Sequence, residues 1–402
     1  MPDNRRQITT ELIRQAASAE FVEVGPRALS LSSVAKRAYI SVGAVYERWS
    51  SREACIEDLI SHELPRVIDS LVAPWRNTDT DMLALVRAGL IEPDSLRSMR
   101  FVAESVFAAR DEPDLGPQVR DGIAVLEFSI QGRLPEGAST PAIGWWLIST
   151  WLGVSLLRTS GCSIPTSFDD HVIEILQSMS AEGDLSRNAL AAHGVVAEHP
   201  IPGQNRPGSD STTAALLDAT NEIIASRGVR EADLRSVARQ AGVTTGAVYR
   251  RFSGRSELMI KAFVAGLNPE RYAWTPKFIS ILDAEGINGL GNYLTTLCQR
   301  IWDDHSSSHL LLEFSVAAHT DQRVRASVID EIVTVAGNRE FFYTSLINAG
   351  VVDRRFSAEG LAWTLQIPPI GMRLLASIGV VPTEDELRPL LTEYALLLLS
   401  HD

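Results

Sequence analysis

Residues Thr244-Thr245-Gly246-Ala247-Val248-Tyr249-Arg250-Arg251 set small side chains ahead of a phenol and two guanidiniums. Small residues in the first turn of a helix let backbone and short side chains enter a nucleic-acid major groove. Phenol and guanidinium groups just beyond can donate to phosphate oxygens. That is the chemistry of holding a polyanion, not of making or breaking a covalent bond. The residues ahead of the run supply its support. Val237 and Ala238 face inward from a short helix, and Ala241 and Gly242 allow a tight turn and a close helix crossing. Thr244 is placed to cap the second helix. Phe252 returns to the core and Arg255 opens the next helix.

The same pattern occurs earlier in the chain. Shifted by 203 residues, Leu31-Ser32-Ser33-Val34-Ala35-Lys36-Arg37-Ala38 lies on Leu234-Arg235-Ser236-Val237-Ala238-Arg239-Gln240-Ala241. Gly43-Ala44-Val45-Tyr46-Glu47-Arg48-Trp49-Ser50-Ser51-Arg52 then falls on Gly246-Ala247-Val248-Tyr249-Arg250-Arg251-Phe252-Ser253-Gly254-Arg255. Weaker likeness continues downstream. Glu104-Ser105-Val106-Phe107-Ala108-Ala109 resembles Glu313-Phe314-Ser315-Val316-Ala317-Ala318, and Trp145, Gly153, Leu156 and Leu157 share their spacing with Trp363, Gly371, Leu374 and Leu375. A whole unit is doubled, not only its head.

The elements that must position these residues read as helices throughout. Leu216, Leu217, Ala219, Ile223 and Ile224 have helical spacing, closed by Gly228, and Ser30 or Asp233 can cap the short helix that follows each head's first. Helical periodicity extends over Phe101–Arg110, Gly122–Arg133, Trp145–Thr159 and Phe168–Ser180 in one copy. In the other it covers Leu310–His319, Arg325–Ala349, Ala358–Ser377 and Glu384–Ser400. No run alternates as a strand would. The expected domains are a head at 1–62, a helical regulatory domain at 63–182, a linker at 183–208, a second head at 209–267 and a second regulatory domain at 268–402. The linker is marked by Gly194, Pro200, Pro202, Gly203, Pro207 and Gly208.

Composition narrows the function classes. Hydrophobic residues make up 45%, as in a globular protein. No apolar run approaches the ~20 residues of a bilayer span, and no apolar stretch follows the N-terminal charges, so no membrane partner is expected. The three cysteines, Cys55, Cys162 and Cys298, lie far apart, which fits a reducing, cytoplasmic setting. The net charge of −13 is wrong for a polyanion binder, but its distribution is not. Residues 1–60 carry eight basic and eight acidic side chains and residues 209–266 carry eight and six, so the acidic surplus lies elsewhere. No phosphate-cradling loop, nucleophile elbow or zinc motif is present, which leaves no basis for an enzyme, a cofactor or a metal.

The Val237–Phe252 run resembles the TetR family of bacterial regulators, agreeing at about ten positions of fixed spacing, with Arg255 where the family usually has lysine. The resemblance covers both heads closely and the C-terminal halves in helix layout only. It implies an all-α fold of two tandem units, each a helix-turn-helix head with a helical ligand-binding and dimerisation domain. The DNA-binding residues it implies are Thr244, Thr245, Gly246, Ala247, Tyr249, Arg250, Arg251 and Arg255, with Ser41, Val42, Gly43, Ala44, Tyr46, Arg48 and Arg52 in the first head. Family members pair their last two helices into a four-helix bundle, setting two heads ~34–36 Å apart over a palindrome of double-stranded DNA. Here the two copies are expected to make that bundle within one chain. The candidate helices are Trp145–Thr159 and Phe168–Ser180 against Ala358–Ser377 and Glu384–Ser400, and the resulting pseudodimer would read an imperfect palindrome. The implied activity is repression released by an unknown small-molecule effector. The candidate pocket lining is Trp145, Trp146 and Trp151 in one copy and Trp302, Phe314, Phe341, Phe342 and Trp363 in the other, with ordinary core packing as the alternative role for each.

The first head departs from the pattern. Tyr39 replaces the turn glycine, Trp49 replaces phenylalanine, and Glu47 stands where the second head has Arg250. The first head therefore binds more weakly, reads a different half-site, or carries Glu47 harmlessly in solvent. A chain with one competent head, a ligand- or protein-binding module with one or both heads without DNA function, and activation in place of repression stay open, as does association of two chains. His305, His309 and Glu313 share one helix face beside Asp303 and Asp304, a weak metal pattern. Asp169-Asp170-His171 reads as the N-terminal cap of the first copy's last helix, where acid is favourable.

Overall fold

The computed structural model describes residues 2–134, 140–180, 210–266, 270–303 and 305–399. The expected linker at 183–208 and the boundary at 267/268 lie outside the described residues. The first copy runs through α1 (Pro2–Val24), α2 (Leu31–Arg37), α3 (Val42–Tyr46), α4 (Arg52–Arg76), α5 (Met82–Ile91), α6 (Pro93–Asp111), α7 (Gly116–Gln131), α8 (Thr140–Thr159) and α9 (Thr166–Ser180). The second runs through α10 (Ser211–Arg227), α11 (Leu234–Gln240), α12 (Thr245–Tyr249), α13 (Arg255–Gly266), α14 (Glu270–Asp303), α15 (His305–Thr320), α16 (Gln322–Asn348), α17 (Ala358–Thr364), α18 (Pro368–Ala376) and α19 (Glu384–Leu398). Among the described residues there is no strand. An isolated antiparallel bridge joins Val352 to Leu399. None of the described helices is long and apolar enough to cross a membrane.

Side-chain caps set most starts. Ser30, Ser41, Ser51 and Asp81 cap α2, α3, α4 and α5, and Asp210, Asp233, Thr244 and Asp321 cap α10, α11, α12 and α16. Thr383 and Glu386 close a reciprocal capping box on α19. The helix expected over Ala358–Ser377 is instead two, α17 and α18, separated at Leu365–Ile367. The cause is Pro368-Pro369. Proline steers its predecessor out of helical geometry yet suits the first turn of a new helix. Within α14 the backbone leaves helical geometry at Gly286, φ 66° and ψ −159°, so two helical stretches meet there at a kink.

The chain divides into two compact units that do not follow the repeat. The first comprises Met1–Glu136, Ile143–Gly161 and Ile370–Val381, and the second Gly137–Ala142, Cys162–Pro369 and Pro382–Asp402. In the first unit α4 packs on α6 and α7, and α1 on α6. Phe21 meets Phe101 at 5.0 Å between ring centroids, and Trp75 meets Trp151 at 5.7 Å. The buried face of α8 approaches α18 so closely that Gly371 lies against the backbone of Ser149. In the second unit α14 packs on α19, α16 on α17, and α9 on both α17 and α19. Phe263 and Phe314 meet at 4.6 Å. Each unit thus contains helices of both copies.

Candidate nucleic-acid interface

In the first head Ser41 accepts from the Ala44 amide at 3.2 Å, which fixes the start of α3. Val45 and Trp49 are buried beneath that helix, while Tyr46 is 55% exposed. Arg48 does not extend outward as expected. Its guanidinium lies over the Trp49 ring and bridges to Asp58 at 3.2 Å, and Arg14 meets the same carboxylate at 3.2 Å. Burial pushes the Asp58 carboxyl up, but the two arginines outweigh it and hold the group below its ordinary range. Arg52 donates to the Arg27 carbonyl at 3.2 Å and pairs with Glu53 at 2.8 Å, bracing the loop before α2. Ser41, Val42, Gly43 and Glu47 are exposed and Ala44 is half-buried.

The second head repeats the layout with different chemistry. Thr244 accepts from the Ala247 amide at 3.3 Å, Val248 and Phe252 are buried, and Tyr249 is 62% exposed. Ala247 itself is buried, so it supports the helix and does not meet a groove. Arg250 is exposed. Arg251 turns back to the Asp210 carboxylate at 2.9 Å and the Ala247 carbonyl at 3.2 Å, and that arginine holds Asp210 below its ordinary range. Arg255 donates to the Val229 carbonyl at 2.6 Å and the Ala232 carbonyl at 3.0 Å. Arg48, Arg52, Arg251 and Arg255 are thus braces of the heads in this state. Thr244 and Gly246 are exposed and Thr245 is half-buried.

The turn before each second helix needs a left-handed residue. Gly242 supplies it at φ 67°, while in the first head Tyr39 is held at φ 55° with its ring 94% exposed. A side chain in that region carries roughly 1–2 kcal/mol of strain. The variant Tyr39→Gly is therefore expected to stabilise the first head by about 1 kcal/mol, partly offset by the freer unfolded chain. Hydrogen exchange should show several-fold greater protection of residues 31–46. Unchanged protection would mean the neighbouring contacts already absorb the strain.

Gly43 and Gly246 show the opposite case. A β-carbon there would find only the Ser41 or Thr244 hydroxyl, at 3.9 and 3.8 Å. Neither has a positive φ. The protein's own packing therefore gives no reason for glycine at these exposed positions.

Joints between each head and the helices that follow it were not visible in the sequence. Arg27 binds Asp111 at the end of α6 through two hydrogen bonds, of 2.5 and 2.6 Å. Burial raises the Asp111 carboxyl, and Arg27 outweighs it and leaves the group low. In the second copy Glu313 accepts from the Val229 amide at 2.7 Å, His309 meets the Ala225 carbonyl, and Ser256 donates to Asp321 at 2.5 Å. His309 and Glu313, read as a weak metal pattern, are thus engaged with α10 and the turn after it. The side chain of His305 lies outside the described residues. The useful signal was the repeat itself, which aligns Glu104 with the buried Glu313.

Of the candidate pocket aromatics, Trp145, Trp146 and Trp151 are buried in the first unit and Phe314, Phe342 and Trp363 in the second. Phe314 is spent on Phe263 of α13. Phe341 is 48% exposed on α16, and the Trp302 side chain lies outside the described residues. Asp169 sits in the first turn of α9, which begins at Thr166, and both Asp169 and His171 are buried.

A profile of bacterial regulatory proteins of the tetR family matches twice, at residues 13–59 and 216–262. The HTH-type transcriptional regulator SrpR of Pseudomonas putida is 35% identical over 68 residues, 17% of this chain and 32% of that protein. The uncharacterized HTH-type transcriptional regulator TtgW, also of Pseudomonas putida, is 37% identical over 65 residues, 16% of this chain and 48% of that protein. The chain thus spans a third to a half of these two relatives. The HTH-type transcriptional repressor KstR2 of Rhodococcus jostii is 27% identical over 167 residues, 40% of this chain and 75% of that protein. Among solved structures, NalD, the secondary repressor of the MexAB-OprM multidrug efflux pump in Pseudomonas aeruginosa, covers 48% of this chain and 96% of its own at 17% identity and a TM-score of 0.35. Two profile matches, one on each head of an all-helical chain whose capped second helices expose Tyr46 and Tyr249, identify the two heads as domains of the tetR-family type, present in tandem.

Proposed function

We propose that the chain is a single-chain, pseudodimeric DNA-binding regulator of the cytoplasm. It represses from an imperfect palindrome and is released when a small molecule enters its helical regulatory domains. The observation that carries the reading is the pair of glycines, Gly43 and Gly246, exposed beside Tyr46 and Tyr249 with open space above them. A surface glycine without a conformational need is explained by something that must come close, and a duplex backbone or base edge is that something. Ser41, Val42, Tyr46, Thr244, Thr245, Tyr249 and Arg250 complete the two reading surfaces. Val42 is an exposed apolar side chain where the second head has the hydroxyl of Thr245. An apolar group suits a thymine methyl and a hydroxyl suits a hydrogen-bonding edge, which supports unlike half-sites.

Pseudodimer formation is supported by helices of different copies packing within each unit, α8 with α18 and α9 with α17 and α19. Release by an effector is supported by the joints of each head to its regulatory helices. A ligand that moved α6 or α15 would pull on Arg27 or Val229, provided it bound the two states with different affinity.

The test is selection of bound fragments from the source genome by the purified protein, repeated with Gly246→Ala and Tyr249→Ala. Gly246→Ala should leave stability unchanged or raise it by about 0.5–1 kcal/mol, since alanine favours helix over glycine. It should nevertheless lower affinity for the selected fragment tenfold or more. Tyr249→Ala should abolish enrichment. A Gly246→Ala protein that binds as the wild type does would remove the carrying observation. No enrichment even at low salt would leave a ligand- or protein-binding module.

A further inference from the structure

The two heads differ most in the charges that are free to meet a phosphate. Arg235 and Arg239 are exposed on one face of α11, and Arg250 is exposed at the end of α12. The equal positions in the first head hold Ser32, Lys36 and Glu47, also exposed. Among the side chains the structure describes, the remaining arginines of the first head do not restore the balance. Arg37 is tied to Glu20 at 2.8 Å and also to Glu23, and Arg48 to Asp58. On the second head Arg251 is tied to Asp210. Asp233 offsets one positive charge there, but its carboxylate is occupied by the Arg235 and Ser236 amides as the cap of α11. The second reading surface is therefore clearly positive and the first close to neutral.

We propose that the heads engage DNA unequally: the second carries most of the phosphate neutralisation, and the first reads its half-site with little of it, Glu47 opposing the backbone beside Tyr46. This rests on the DNA-binding reading above and says how the two heads share the work. The physical basis is counterion release. Each neutralised phosphate contributes about −0.9 to the slope of log affinity against log salt. A surface with three exposed arginines gains affinity from that term, and one with a lysine and a glutamate gains almost none. The second head then meets DNA first and holds it while the first selects by base contact.

Three proteins test this by anisotropy on sheared genomic DNA and on the selected fragment, from ~50 to 200 mM salt. They are the full-length wild type, Glu47→Arg and Arg250→Glu, with circular dichroism confirming that each is folded. Glu47→Arg should tighten binding about tenfold at the low-salt end and steepen the slope by about one. Arg250→Glu should weaken binding at least tenfold and flatten the slope. A wild type that ignores sheared DNA at the lowest salt overturns the regulator reading itself. A wild type that binds, with Glu47→Arg unchanged in affinity and slope, overturns only the unequal sharing. Glu47→Gln, which removes the charge without adding one, should give an intermediate slope. If it instead weakens binding, Glu47 is a base contact and the proposal fails.

Discussion

Gly371→Ala should destabilise the protein by about 3 kcal/mol, the upper end of the cost of overpacking a filled core. A β-carbon at Gly371 would lie 2.6 Å from the carbonyl carbon of Ser149 and 2.8 Å from its α-carbon, and closer still to the carbonyl oxygen. These are backbone atoms of α8, so no rotamer change removes the clash. The helix itself has little room to move, because Ile148, Ser149, Thr150 and Leu152 are all buried. The two helices must separate, and they come from different copies of the unit. Gly337→Ala provides the control. It is the same chemical change within α16, and a β-carbon there meets nothing within 4 Å. That variant should be neutral or gain up to ~1 kcal/mol of helix propensity. Urea midpoints of the three proteins decide the matter. A Gly371→Ala protein with the wild-type midpoint would show that α8 and α18 do not pack so closely in solution.

The same contact marks a limit on what the sequence made legible. The repeat, the heads and their caps were readable because they rest on local chemistry. Thr244, Asp233 and Ser30 cap the helices they were expected to cap, and Gly242 and Gly228 take the positive φ expected of turn and helix-end glycines. The matched spacing of Gly153 and Gly371 was visible as a repeat signal, but nothing local showed that Gly371 would lie on Ser149. Arginine direction was also out of reach. A guanidinium two residues past the exposed tyrosine looks like a phosphate contact in a linear reading. In both heads a carboxylate distant in sequence claims it, Asp58 for Arg48 and Asp210 for Arg251. The break at Pro368 was readable and outweighed by apolar periodicity across Ala358–Ser377. Proline takes precedence there, because a missing amide donor is absolute and periodicity is statistical.

Arg100→Met is expected to cost about 3–5 kcal/mol at pH 8 and distinctly less at pH 5, because it strands the buried carboxylate of Glu104. Both side chains are buried within α6, with Arg100 Nε 2.7 Å from Glu104 Oε1. Arg100 also donates to the Leu156 carbonyl at 3.3 Å and the Thr159 hydroxyl at 3.2 Å, joining α6 to the end of α8. Burial pushes the Glu104 carboxyl up from 4.5 to about 7, against the pull of Arg100. A carboxyl raised in the folded state is better tolerated protonated. Its contribution is therefore full below the ordinary value of 4.5 and is lost as pH rises through about 7. Wild-type stability should fall across that window, and Glu104→Gln should flatten the fall. Removing Arg100 takes away the guanidinium that lowers Glu104, so the loss should extend to higher pH. Equal costs of Arg100→Met at the two pH values would mean that Glu104 is already neutral throughout and the pair is not ionic. The repeat gives the result a wider bearing. Arg100 and Glu104 align with His309 and Glu313, and Glu313 spends its carboxylate on the Val229 amide, where the second head begins to turn. The matched position thus pairs within α6 in the first copy and ties the second head to α15 in the other. Glu313→Gln should therefore loosen the second head at residues 225–232, whereas Glu104→Gln should leave the first head's exchange rates as they were.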